Sequence, residues 1–153
     1  MYTIKCAVSA IICGGRGDDL SSSGRLLDVN RLKRSRWLLL PFNPGWYWIL
    51  FACEIRTGNV HYYDSHNSNY KDEGSRVLRV LRHVLDRDDG ELVTPSNTPQ
   101  QHFMNEPGVD CGAFCCGFAH MVCCGGSIGS MNQRLMNDYR SYIGCCIHTH
   151  SLL

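Results

Sequence analysis

Long apolar runs are missing from this chain. No stretch of its 153 residues approaches the ~18 consecutive apolar residues of a membrane-spanning helix, so no membrane partner of that kind is expected. A charge excess of one sign is missing too. Fifteen basic side chains face fourteen acidic ones, for a net charge of +1, which provides no electrostatic footprint for a specific nucleic-acid partner. The short basic stretch Arg31–Arg36 (RLKRSR) reads as a solvated loop. Proline is scarce, with five residues in all, and three of them (Pro95, Pro99 and Pro107) fall in one segment. Internal repeats and low-complexity tails are absent. What remains is an ordinary globular mix, 44% hydrophobic and 19% charged, long enough to bury a core as a single domain over 1–153.

Cysteine, by contrast, is abundant. Six of the ten fall in adjacent pairs, Cys115–Cys116, Cys123–Cys124 and Cys145–Cys146. Such pairs do not space like a secreted disulfide framework. The expectation is an intracellular protein of a reducing compartment, nucleus or cytoplasm. Residues 6–13 (CAVSAIIC) read as a buried strand or helix rather than a signal-peptide core.

Turn chemistry fills 14–25 (GGRGDDLSSSGR). Arg36–Phe42 (RWLLLPF) predicts a buried strand, and Trp46–Ile55 (WYWILFACEI) a second one rich in aromatic and β-branched residues. Thr57-Gly58-Asn59 is a hairpin turn and Val60–Asp64 the returning strand. Alternation sets Val60, Tyr62 and Asp64 on one face, His61 and Tyr63 on the other. Val77, Leu78, Leu81, Val84 and Leu85 mark an amphipathic helix over about 74–86. A polar loop at 87–109 follows, of a length that often carries function. Helices are expected at about 111–124 and 131–142, the latter with Leu135, Met136, Tyr139 and Ile143 on one side. The order of strands and helices is that of an α+β domain.

The segment "GVDCGAFCCGFAH" carries the chemistry. A thiol attacks as the thiolate, and the N–H groups and dipole of a helix N-terminus favour that form. Cys111 stands at such a start. Gly112 lets a substrate carbonyl approach the backbone, and the Cys111 N–H supplies one oxyanion donor. The competing reading is a buried small hydrophobe. Asp64, ending an aromatic strand, is placed to orient a histidine, against a plainer role as a turn residue. A second cluster competes for function. Cys116, His120 and Cys124 share one helix face, and His148 or His150 would complete a zinc-type ligand set. Three ligands strung along one helix reach a single ion poorly, so core packing is the favoured role. Trp37, Trp46 and Trp48 are expected in the core or lining a groove.

The stretch "RWLLLPFNPGWYWILFACEIRTGNVHYYDS", a helix, then "PQQ…VDCGAF" resembles the Ulp/SENP family of ubiquitin-like-protein proteases. The run CGAFCCGFAH is also similar to adenain, the adenovirus protease. The resemblance covers about 35–143, with 1–34 poorly assigned and 144–153 a tail. It implies an α+β papain-like cysteine-protease fold with a central mixed sheet flanked by helices. By the resemblance Cys111 is the nucleophile, Asp64 the acid that orients the base, and Gln101 (or Gln100) the oxyanion glutamine. Trp48 and Gly112 then line the channel for a Gly-Gly tail. It further implies a monomer acting on a SUMO-type ubiquitin-like protein or a polyprotein, without a cofactor.

One position departs from the pattern. Where the family carries its catalytic histidine, this chain has Tyr47. A phenol with an ordinary pKa near 10 is a poor proton acceptor for a thiol. Lost general acid–base help costs about 10²–10⁴-fold in rate. His66 and His102 are the candidate substitutes. Two functions follow: a thiol peptidase, or a catalytically impaired pseudoprotease that binds a ubiquitin-like modifier. Either one demands that Tyr47, Asp64 and Cys111 converge.

Overall fold

The computed structural model describes residues 2–3, 28–43, 45–100 and 110–149. The apolar run at 6–13, the loop at 14–25, and Gln101, His102 and His150 lie outside the described residues. Five strands form one mixed sheet in chain order, β1-β2-β3-β4-β5. They are β1 (Tyr2–Thr3), β2 (Trp37–Phe42), β3 (Ile49–Glu54), β4 (Val60–Tyr63) and β5 (Leu92–Val93). The two outer pairs are parallel and the two inner pairs antiparallel. Within the 87–109 segment, Leu92 and Val93 add a short edge strand beside Val60 and His61, so that segment is not loop throughout.

Strand β3 is central, with Ile49 to Cys53 all buried, as expected of a strand covered on both faces. Its alternation divides the core in two. Ile49, Phe51 and Cys53 join Leu38, Leu40, Val60 and Tyr62 under helix α2 (Lys71–Leu85). Leu50 and Ala52 join Leu39, Tyr63, Phe114, Phe118 and Met136 under helix α3 (Cys111–Cys124). The short helix α1 (Val29–Lys33) buries Leu32 in the first half, and Asp28 caps it through the Arg31 N–H. The basic stretch read as a loop is therefore partly helical.

Helix α2 begins three residues earlier than its apolar pattern. Asp72 and Glu73 occupy the first turn, where carboxylates meet the positive end of the dipole. It ends at Asp86, which is left-handed at φ 54° and donates its N–H to the last carbonyls. Helix α3 has the expected bounds and ends at Gly125, φ 70°. The last helix differs from expectation. A 3₁₀ turn at Gln133–Leu135 precedes α4 (Met136–Thr149), so α4 starts later and runs further. That turn carries Leu135 into solvent, 41% exposed, while Met136 is fully buried. Trp46 is corrected as well. Strand β3 begins only at Ile49, and Trp46 stands 96% exposed in the preceding turn, neither core nor groove.

Candidate active site

The antiparallel register brings three of the sequence candidates, Tyr47, Asp64 and His66, to one end of the sheet. Leu50 pairs with Tyr63 across β3 and β4, so extending the register by three residues sets Tyr47 opposite His66. Their rings stack there, 5.1 Å between centroids and 21° from parallel. Tyr70 meets the other side of Tyr47 edge-on at 5.7 Å. Tyr47 thus packs against the α2-side core and its neighbour Trp48 against the α3-side core, the usual alternation of an extended chain. The Tyr47 hydroxyl is buried, with the Ser68 and Tyr70 side chains beside it. Burial pushes that phenol above its ordinary value, and the Asp64 carboxylate adds to the shift. It stays protonated at neutral pH and cannot serve as a base.

Asp64 lies just past β4 and is 4% exposed. A carboxylate is buried only when its lone pairs are satisfied. Its own turn provides the donors. The His66 N–H donates to Oδ1 at 2.7 Å, the Ser68 N–H to Oδ2 at 2.6 Å and the Tyr62 hydroxyl to Oδ2 at 2.7 Å. Gln100 closes the loop from outside, with Nε2 donating to the Asp64 carbonyl at 3.0 Å and to the Thr98 carbonyl at 3.0 Å. That amide supports the Asp64 turn. Gln101 itself falls outside the described residues.

Two histidines differ in placement. His61 lies on the opposite strand face, edge-on to Trp37 at 5.7 Å and stacked on Tyr63 at 6.2 Å. Burial holds its imidazole below the ordinary value. His66 is exposed, and its Nδ1 lies 3.1 Å from the Ser68 hydroxyl. Alternation already separated His61 from Asp64; the stack of His66 on Tyr47 needed the register.

Cys111 is the first residue of α3 and is 7% exposed. Helix α3 is held against β3 partly by Cys115, whose thiol donates to the Ile49 carbonyl at 3.4 Å. One residue on, Gly112 meets the Trp48 indole. A Cβ built at 112 would lie 3.5 Å from Trp48 Cδ1 and 4.0 Å from Nε1. Trp48 therefore joins the Tyr47–Asp64 end of the sheet to the Cys111 end of the helix. Beside that contact lies an open apolar groove of about 590 Å³, lined by Pro41, Trp48, Gly112, Arg140 and Ile143 among others. Cys111 and Tyr47 share no hydrogen bond among the described residues.

Asp110, just before the thiol, also has partners that sequence reading missed. Its Oδ1 accepts from Arg140 Nε at 2.7 Å, and its Oδ2 from Gln133 Nε2 at 2.5 Å. Among the described residues the competing cluster of Cys116, His120, Cys124 and His148 does not assemble. Cys116 and Cys124 are exposed, and His120 Nδ1 lies 3.1 Å from the Tyr139 hydroxyl. Among the described residues no group of three or more His, Cys, Asp or Glu is arranged to hold an ion.

Comparison with known proteins bears on the family and the fold. No curated protein matches the sequence. Among solved structures, the fold is similar to the C-terminal Ulp1 protease domain crystallised with Smt3, the yeast ortholog of SUMO. That match has a TM-score of 0.72 and 14% identity, and covers 96% of this chain and 67% of the other. A family model described as the Ulp1 protease family, C-terminal catalytic domain, matches residues 25–151. That model spans most of the sequence, and the chain belongs to the Ulp1 protease family.

Proposed function

We propose that this domain is a cysteine-type peptidase of the Ulp kind, with Cys111 attacking the carbonyl after a Gly-Gly or Gly-X-Gly-type tail. The observation that carries the reading is the contact of Gly112 with Trp48 beside the thiol. Both residues line the open apolar groove of about 590 Å³, and with no Cβ at 112 a glycine-rich tail laid along that groove comes closer to the backbone beside the thiol. The substrate proposed is a SUMO-type ubiquitin-like protein, with a polyprotein as the other source of such a tail. A reducing compartment, nucleus or cytoplasm, is proposed from the adjacent pairing of the cysteines, which does not space like a disulfide framework.

In this reading Cys111 attacks from the first turn of α3, as the thiolate that any thiol nucleophile must become. The thiolate adds to the carbonyl carbon, and the Cys111 N–H faces the oxygen that takes up the charge. The C–N bond then breaks as the amine takes a proton from water, and a second water hydrolyses the acyl-thioester to free the carboxylate and return the thiol. Tyr47 serves neither proton transfer, since its phenol is pushed upward by burial. The stacked and exposed His66 is the described imidazole nearest in register to position 47.

That same raised phenol favours a second reading, a pseudoprotease that holds the tail and hydrolyses it poorly. One experiment separates the two. Wild type, Cys111→Ala and Tyr47→His are treated with a panel of ubiquitin-like modifiers bearing a C-terminal electrophile. The peptidase reading expects a covalent adduct with wild type that is lost in Cys111→Ala. An adduct only with Tyr47→His establishes the pseudoprotease. Absence of adduct in every protein removes both.

A further inference from the structure

We propose that Arg140 and Gln133 are positioning residues for Cys111: they draw the Asp110 carboxylate away from the amino end of α3. The inference rests on the reading of Cys111 as a nucleophile. It starts from an anomaly. Asp110 is the N-cap residue of α3, and aspartate there normally turns its carboxylate back onto the first free N–H groups. Here it makes no such bond, and its backbone is helical, φ −92° and ψ −6°, instead of extended. The carboxylate points to the far side. Arg140 of α4 takes Oδ1 through both Nε and Nη2, each at 2.7 Å. Gln133, on the 3₁₀ turn before α4, takes Oδ2 at 2.5 Å.

Two consequences follow for the thiol. The N–H groups of the first turn are not consumed by the adjacent side chain, so they stay open to a substrate oxygen. The negative charge next to Cys111 is also paired with a guanidinium, so an attacking sulfur anion meets less like charge beside it. The 3₁₀ turn that displaces the start of α4 is what brings Gln133 to Asp110. The irregularity that exposes Leu135 therefore has a role at the active end. The Asp110 side chain is 19% exposed and that of Arg140 43%, so solvent screens the pair and the effect is moderate.

The test uses iodoacetamide at pH 7 on the intact chain, with peptide mass spectrometry reading Cys111 against the exposed Cys124 as internal reference. Arg140→Ala should slow Cys111 labelling by about three- to tenfold, the size of one screened charge close by. Adding Asp110→Asn should bring the rate back to within about twofold of wild type, because it removes the charge that Arg140 masked. Arg140→Lys, which keeps the charge without the fork, should lose less than Arg140→Ala. An unchanged rate in Arg140→Ala refutes the proposal. So does a loss that Asp110→Asn fails to restore, which would make the contact a simple tie between α3 and α4. Cys111 that takes no label in any variant also refutes it. No modifier enters this assay, so failure of tail capture and failure of the clamp are told apart.

Discussion

On the proposed reading, Tyr47→His puts a proton acceptor where the family resemblance expects histidine, and the structure shows what it would meet. The new imidazole needs an acceptor for one ring N–H. An ionised carboxylate offers about four lone-pair sites, and the described bonds to Asp64 use three: one on Oδ1 and two on Oδ2. One site on Oδ1 remains, on the residue next to the Tyr47 pocket, so the carboxylate orients the ring without losing a donor. Restored general acid–base help should raise release of a reporter from a modifier–Gly-Gly–reporter fusion by about 10²–10⁴-fold at pH 7. The exchange leaves part of a packed site empty and weakens the stacking on His66, at a stability cost of about 1–2 kcal/mol. Thermal melting confirms that the variant is folded before rates are compared. In the Tyr47→His background, Asp64→Asn should remove at least about tenfold of the gain, since an amide no longer stabilises the imidazolium. A folded Tyr47→His whose release rate equals that of wild type would refute the assignment of position 47 as the site of the base.

Gly112→Ala should separate folding from function. The added methyl sits in ordinary contact with Trp48 at 3.5 Å, and alanine favours a helix by up to about 1 kcal/mol over glycine. The melting temperature should hold or rise while adduct formation with a Gly-Gly electrophile falls at least about tenfold. Tyr62→Phe should lower stability by about 1–3 kcal/mol in urea titration, because buried Asp64 loses a donor. Acid should expose His61. Burial holds its folded value below 6.5, so the unfolded chain takes the proton first and stability falls as pH drops below about that value. His61→Gln should make the melting temperature flatter between pH 7 and pH 5.

The sequence alone determined the elements with a strong period or a distinct terminus. Alternation in "VHYY" placed Tyr62 and Tyr63 on opposite core layers, as found, because a strand's side-chain period leaves no freedom once one face is buried. The bounds of α3 followed from "DCG" at one end and "CCGG" at the other. The motif likewise named Cys111, Asp64 and Trp48 as candidates and marked Tyr47 as the exception. Only the tertiary structure decided what surrounds them. That His66 lies on Tyr47 depends on how β3 and β4 pair. That Asp110 answers to Arg140, thirty residues away, depends on how α4 docks on α3. The exposure of Trp46 and Leu135 turned on where β3 and α4 begin, which local propensity leaves loose at element ends. Periodicity fixes which face of an element is buried. Which side chains meet across two elements is set by their packing against each other, and no local pattern contains it.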